Sequence, residues 1–220
     1  MSSGTAIDLG GVMSFYQSIY RLLARPLRAV FRVQVTGAEK LPQGRGCLLC
    51  ANHTGELDVL VISAGLNRQV RYMAKKELFK IPILGPLVTA LGAFPIDRGG
   101  ADVASIRKTI HLLEEGELVG IFPQGTRYPG VDPKTTKVKH GAGMIVYHAK
   151  CDVVPVYLKT KKNKVRFFHK TQLIVGDVIP YDALAFDKGG MKEYKAATEK
   201  IFAAVCALGD TAEENGEAQS

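Results

Sequence analysis

The residues able to do chemistry fall in three short polar clusters, each directly after an apolar run. The first is ANHTGELD, in which His53 and Asp58 frame the pattern HxxxxD. A histidine takes up and returns a proton near neutral pH, worth roughly a hundred- to ten-thousand-fold in rate, when a carboxylate fixes its tautomer and supports the imidazolium. Side chains five residues apart on one continuous helix diverge by about 140°. The pair therefore works only with His53 in a loop and Asp58 in the first helical turn, reaching back, and Gly55 lets the chain turn between them. In any other arrangement Asp58 is a helix cap and His53 a core residue.

The second cluster, FPIDRGG, sets Arg98 ahead of Gly99 and Gly100. An arginine beside a glycine-rich turn offers a phosphate a bidentate fork and backbone N–H groups; the same residue also suits a surface ion pair with Asp97. The third, IFPQGTRYPG, crowds Gln124, Gly125, Thr126 and Arg127 into one turn. It reads as another anion cradle or as a tight turn with solvent-facing residues. Cys47 and Cys50 form a CxxC inside the apolar run CLLCA, with no second CxxC, and Cys151 and Cys206 stand far away. Thiols packed in a core strand are expected, and no metal site, with a thioredoxin-like or zinc role as the alternative reading of the CxxC.

The elements that must position these clusters alternate. Candidate strands are 31–35, 46–51, 70–74, 93–96, 118–122, 153–158, 164–168 (KVRFF) and 171–176. Between them lie helical patterns over 56–66, 84–91, 102–115 and 141–150, with a closing helix over 193–208. In the pattern over 102–115, Val103, Ile106, Ile110 and Leu113 share one side. Strand and helix in alternation predict an α/β fold, a mostly parallel central sheet flanked by helices, with ligands at the carboxyl ends of the strands. An N-terminal amphipathic segment (1–32) precedes the α/β domain (33–208), and an acidic, disordered tail (209–220) follows it.

Composition bounds the partners. At 220 residues, 46% hydrophobic and 23% charged, the chain is globular rather than disordered or fibrous. Its net charge of +8 calls for an anionic partner: nucleic acid, a phosphorylated metabolite or an anionic membrane surface. Nucleic acid is disfavoured, because the basic residues are not interleaved with stacking aromatics and Trp is absent. A spanning helix needs ~18 to 20 apolar residues, and the best candidate, 81–96, is broken by Pro82, Pro86 and Pro95. In the N-terminal segment Arg21, Arg25, Arg28 and Arg32 lie on one arc, opposite Val12, Tyr16, Ile19, Leu23, Leu27 and Val30. That suits a helix lying in a membrane surface, or one docked on its own domain, with Pro26 as a kink or a division. No secretory signal is visible, so the expected location is the cytoplasmic face of a membrane, peripheral and without a spanning helix.

Order and spacing add to this. NHTGELD, GAFPIDR, FPQGTR and VVPVYL resemble, in sequence order, the four motifs of the 1-acyl-sn-glycerol-3-phosphate (lysophosphatidic acid) acyltransferases, and the resemblance runs from about Lys40 to Tyr181. It implies that His53 deprotonates a glycerol hydroxyl with Asp58 orienting it. The acyl group would come from acyl-CoA or acyl-carrier protein as co-substrate, without other cofactor. It further implies that Arg98, Gln124, Gly125, Thr126 and Arg127 hold the phosphate of lysophosphatidic acid, and that Pro155 lies near the apolar part of the site. The third motif usually reads FPEGTR, and Gln124 replaces its acid, which opens the question of another acceptor such as glycerol 3-phosphate or a different lysolipid. Leu78, Phe79, Ile83, Leu84, Leu87 and Leu91 suit either an acyl-chain tunnel or plain core. Lys161, Lys162 and Lys164 suit lipid headgroups, CoA phosphates or a solvated hairpin. The rival of another class is a non-catalytic module that binds anionic lipid, which would have no use for a base with an orienting carboxylate.

Overall fold

The computed structural model describes residues 22–66, 68–82, 84–90, 92–96 and 103–217. Seven strands, β1 (Val33–Thr36), β2 (Cys47–Ala51), β3 (Arg71–Lys75), β4 (Ala93–Ile96), β5 (Leu118–Ile121), β6 (Asp152–Thr160) and β7 (Thr171–Val175), form one sheet in the order β1-β7-β6-β2-β5-β3-β4. From β6 to β4 the neighbours are parallel; β7 runs antiparallel to β6, and β1 parallel to β7. The mostly parallel sheet expected from the alternation is therefore present. β2 is central and buried on both faces: Cys47, Leu49 and Ala51 enter one core and Leu48 and Cys50 the other, as a two-residue side-chain period requires.

Helices cover the two faces. A helix over residues 22–30 (α1) and α2 (Asp58–Leu66) close one core, where Val61, Ile62 and Leu66 meet Leu49, Leu158 and Leu173. With α3 (Leu84–Ala90) at the β4 edge, the helices α4 (Val103–Glu114), α5 (Gly141–Ala149) and α6 (Met191–Glu217) complete the layers, the last three closing the other core. The fully buried stripe of α4 is Ser105, Thr109, Leu112 and Leu113; of the apolar side read from the sequence, Leu113 is buried, Ile106 and Ile110 are half-buried, and Val103 is exposed. The helix is turned so that two small hydroxylated residues meet the sheet, where Thr109 donates to Ser105 O at 2.9 Å.

Three other expectations change. KVRFF is not a strand, because β6 continues to Thr160 and the chain returns through a loop to Thr171. The tail expected to be disordered from residue 209 carries the closing helix on to Glu217. Its Ala and Glu residues favour helix, and Asp210 pairs with Lys134. Within α1 the helix continues through Pro26; Ala24, Leu27 and Val30 pack on the α2 side of the domain while Arg25, Arg28 and Arg32 are exposed. Its described apolar face thus rests on its own domain. Arg21, and Val12 to Ile19 of that face, lie outside the described residues.

Candidate active site

β2 ends at Ala51, and its pairing with β6 is extended by a side chain. Asn52, fully buried, accepts from Leu158 N–H at 2.7 Å and donates to Leu158 O at 3.2 Å, which brings the chain to a fixed exit point. The next residues, 52–55, are irregular, and Asp58 is the first residue of α2. His53 is thus in the loop and Asp58 in the first turn, the one arrangement in which an HxxxxD pair can meet.

The pair meets at 2.8 Å, between His53 Nδ1 and Asp58 Oδ2. The Asp58 carboxylate has no solvent exposure, and it also accepts from Thr54 N–H at 2.5 Å, Gly55 N–H at 2.9 Å and Thr54 Oγ1 at 2.7 Å. Two backbone N–H groups and the N-terminus of α2 face the carboxyl group, an environment that suits an acceptor and favours an N–H at His53 Nδ1 as the fourth donor. Nδ1 then carries the shared proton, and Nε2 is left with its lone pair. Phe122, just past β5, stacks on the His53 ring with centroids 3.8 Å apart and planes 9° apart, so the imidazole is fixed by its edge and its face. The ring of Tyr72 lies 5.9 Å beyond Phe122, in the space left by Gly120, where a Cβ would stand 2.2 Å from Tyr72 Cε1.

A cleft of about 550 Å³ opens at this end of the sheet, bordered among others by His53, Glu56, Thr126, Arg127, Tyr72, Met73 and Leu78. Gly125 borders it too, in a left-handed conformation (φ +66°) with its α-carbon close under the Lys139 chain, where a side chain would collide. Arg127 stands at the mouth, partly exposed and ion-paired with Glu56. The lining thus mixes charged and polar groups, Glu56, Lys75, Thr126, Arg127 and Lys139, with apolar ones such as Val59, Met73 and Leu78.

Gln124 lies elsewhere than a phosphate ligand would. It is 2% exposed; its Oε1 accepts from His53 N–H at 2.7 Å, and its Nε2 donates to Thr136 Oγ1 at 2.7 Å. With Tyr128 N–H donating to His53 O at 2.9 Å, Gln124 ties the loop after β5 to the loop of the histidine. Both functional atoms are spent inside the protein, one of them on the backbone of His53. Pro155 is buried within β6 and does not border the cleft. Arg98 lies outside the described residues. Asn52, Glu56, Phe122 and Thr136 went unremarked in the sequence; the one local hint was an amide directly ahead of the histidine at a strand end.

All four cysteines are free and buried, as the CxxC in an apolar run suggested. Burial pushes Cys47 and Cys206 up to about 11 and Cys151 up to about 12, so these are inert thiols, away from the cleft. Among the described residues no group of His, Cys, Asp and Glu could hold a metal ion, and no helix is long and apolar enough to cross a membrane.

A histidine held by a buried carboxylate beside a cleft at the carboxyl ends of parallel strands is the arrangement of an enzyme that takes a proton from a hydroxyl or a water. The family is given by comparison. A family model described as "Acyltransferase" matches residues 32–159. The 1-acyl-sn-glycerol-3-phosphate acyltransferase of Bacillus subtilis is 35% identical over 166 residues, spanning 72% of this chain and 81% of that protein. The enzymes of the same name from Streptococcus pneumoniae and Borreliella burgdorferi are 36% and 28% identical over 54% and 61% of this chain, which spans 44% and 54% of their own lengths. In fold, the chain is similar to the 1-acyl-sn-glycerophosphate (LPA) acyltransferase PlsC of Thermotoga maritima, with a TM-score of 0.65, 21% identity, and coverage of 92% of this chain and 88% of that one. This chain belongs to the Acyltransferase family, and its reaction is acyl transfer.

Proposed function

We propose that the chain acylates the free hydroxyl of 1-acyl-sn-glycerol 3-phosphate, giving phosphatidic acid for phospholipid synthesis. The observation that carries this reading is the hydrogen-bonded pair of His53 and Asp58, with His53 bordering a cleft whose lining holds Lys75, Arg127 and Lys139 beside the apolar Val59, Met73 and Leu78. A lysophosphatidic acid has the matching parts: a phosphate, a hydroxyl and a chain. The names of the similar bacterial enzymes support the same acceptor.

In the proposed step the acceptor hydroxyl meets His53 Nε2, which takes its proton as the oxygen attacks the carbonyl carbon of a thioester. Asp58 stabilises the imidazolium that forms. The tetrahedral adduct collapses with loss of the thiol, and the imidazolium returns the proton to the departing sulfur. One C–O bond forms, one C–S bond breaks, and the base is regenerated. Arg127, Thr126 and the backbone at Gly125 take the acceptor's phosphate, with Arg98 completing the cradle. The donor is acyl-CoA or acyl-carrier protein, and the enzyme works from the surface of an anionic membrane.

The test is incubation of the purified chain with lysophosphatidic acid and either thioester, with products read by mass spectrometry beside glycerol 3-phosphate and zwitterionic lysolipids as competing acceptors. Phosphatidic acid as the main product is the expected result. Acylation of glycerol 3-phosphate in preference moves the chain to another acceptor, and no acylation of any acceptor overturns the reading.

A further inference from the structure

We propose that the segment 161–170, between β6 and β7, inserts its aromatic tip into an anionic bilayer. Lys161, Lys162, Lys164, Arg166 and Lys170 are all exposed, and no Asp or Glu occurs between Asp152 and Asp177. At the tip Phe167 is 55% and Phe168 73% exposed. Single exposed apolar residues are ordinary, but two consecutive phenylalanines ringed by five cations are an amphipathic surface concentrated in ten residues. The failed strand explains the geometry. In a strand the two rings would lie on opposite faces, whereas here Phe168 is turned outward and Phe167, resting on Phe31, still leaves half of its surface exposed.

The backbone holds the tip firmly. Phe168 has φ +62°, a left-handed conformation unfavourable for an aromatic residue, and its N–H donates to Val30 O at 2.7 Å. Phe167 leans on Phe31, with centroids 5.1 Å apart. The ring of Phe168 has no such neighbour among the described residues, so the fold spends backbone strain to present an apolar group to the outside.

Position and charge select the occupant. β6 is parallel to β2, so the turn after Thr160 lies at the same end of the sheet as His53. Since β1 is antiparallel to β6, that end also receives the C-terminus of α1, with exposed Arg28 and Arg32. The loop is tied to the catalytic loops through Gly130 N–H, which donates to Asn163 O at 3.0 Å, and Tyr128 N–H, which donates to His53 O. A lipid surface satisfies both halves of the patch, phosphates against the cations and acyl chains against the rings. It also presents a lipid acceptor at the end where the cleft opens. In this last point the inference rests on the proposed function; binding itself is measured without the reaction.

The chain contains no tryptophan, so Phe168→Trp places the sole indole of these 220 residues at the tip. With vesicles of phosphatidylglycerol and phosphatidylcholine, its emission should shift to the blue and be quenched by brominated acyl chains, and phosphatidylcholine alone should do neither. Phe168→Ser should lower the partition coefficient about tenfold, and Lys161→Gln with Lys162→Gln about fivefold per charge at low salt. Acylation of a short-chain, monodisperse acceptor should stay at the wild-type rate in all of these variants. Indole emission that ignores anionic vesicles, that responds to acidic carrier protein and not to vesicles, or that is already blue before lipid is added, overturns the proposal. If no acceptor is acylated yet the indole enters the bilayer, the proposed function falls and this inference stands.

Discussion

Gln124 accepts the backbone N–H of His53 through Oε1 while its Nε2 donates to Thr136 Oγ1, both at 2.7 Å. Thr136 in turn donates its hydroxyl proton to Pro133 O at 2.7 Å, so the chain of bonds has one direction and suits an amide. A glutamate at 124 keeps the bond to His53 but obliges Thr136 to turn its proton from Pro133 to the carboxylate. Gln124→Glu should therefore change kcat less than about tenfold, roughly 1.4 kcal/mol. Gln124→Leu, which orphans the buried N–H, should cost about 1–3 kcal/mol of stability and lower kcat with little change in acceptor KM. Steady-state kinetics and thermal melts check both; an unimpaired Gln124→Leu enzyme would remove the positioning role.

Asp58→Asn tests the base. The carboxylate accepts from four donors, and an amide must point its NH₂ at one or more of them, so the His53 tautomer is lost together with the stabilisation of the imidazolium. Activity should fall by roughly three to four orders of magnitude, as in serine proteases with the corresponding change. His53→Ala should be at least as inactive while melting near the wild-type temperature. Near-normal turnover by either variant excludes the assignment.

Glu56 occupies the guanidinium that the proposed reaction gives to the phosphate. Both side chains border the cleft, and that of Glu56 is 79% exposed. An incoming phosphate has to displace this carboxylate, a competition worth only a few-fold at an exposed pair. Glu56→Gln should lower the acceptor KM about two- to fivefold at low salt and leave the donor KM alone. Arg127→Ala should raise the acceptor KM well beyond the donor KM. Equal effects on both substrates would place Arg127 at the donor instead.

Gly120→Ala should destabilise the fold by about 1–3 kcal/mol, because the added methyl falls 2.2 Å from the Tyr72 ring, which fills the space between β5 and the cleft wall. A melting temperature unchanged by the substitution would mean that the ring moves aside freely.

The thiols set an alkaline limit. Burial raises Cys47 and Cys206 to about 11 and Cys151 to about 12, against 9.0 for the free group. Protons are bound more tightly in the folded state, so this stability is fully present below pH 9 and is lost as pH rises from there through 11 to 12. Native protein at pH 8 should resist alkylation until it is unfolded, which mass spectrometry of labelled chains will read. Rapid labelling under native conditions would contradict the buried placement.

Sequence alone was enough for the alternation of strand and helix, for the burial of CLLCA and for the one condition under which His53 and Asp58 can pair. Each depends on local spacing: a two-residue period for β2, and a five-residue separation that only a loop-to-helix turn can close. It also carried the motif order that marks the family. Tertiary structure decided what spacing cannot encode. Gln124 faces His53 rather than a ligand because the loops after β2 and β5 meet there, 71 residues apart in sequence. The lateral order of the strands, and the return of β1 and β7 against the rest, bring segment 161–170 beside α1 at the catalytic end. KVRFF alternates well enough for a strand, but β7 already has both its neighbours, β6 and β1, and the segment joins no ladder; it runs as a loop fastened by the bond from Phe168 N–H to Val30 O. Which backbone groups find ladder partners is a property of the assembled sheet, and local alternation cannot encode it.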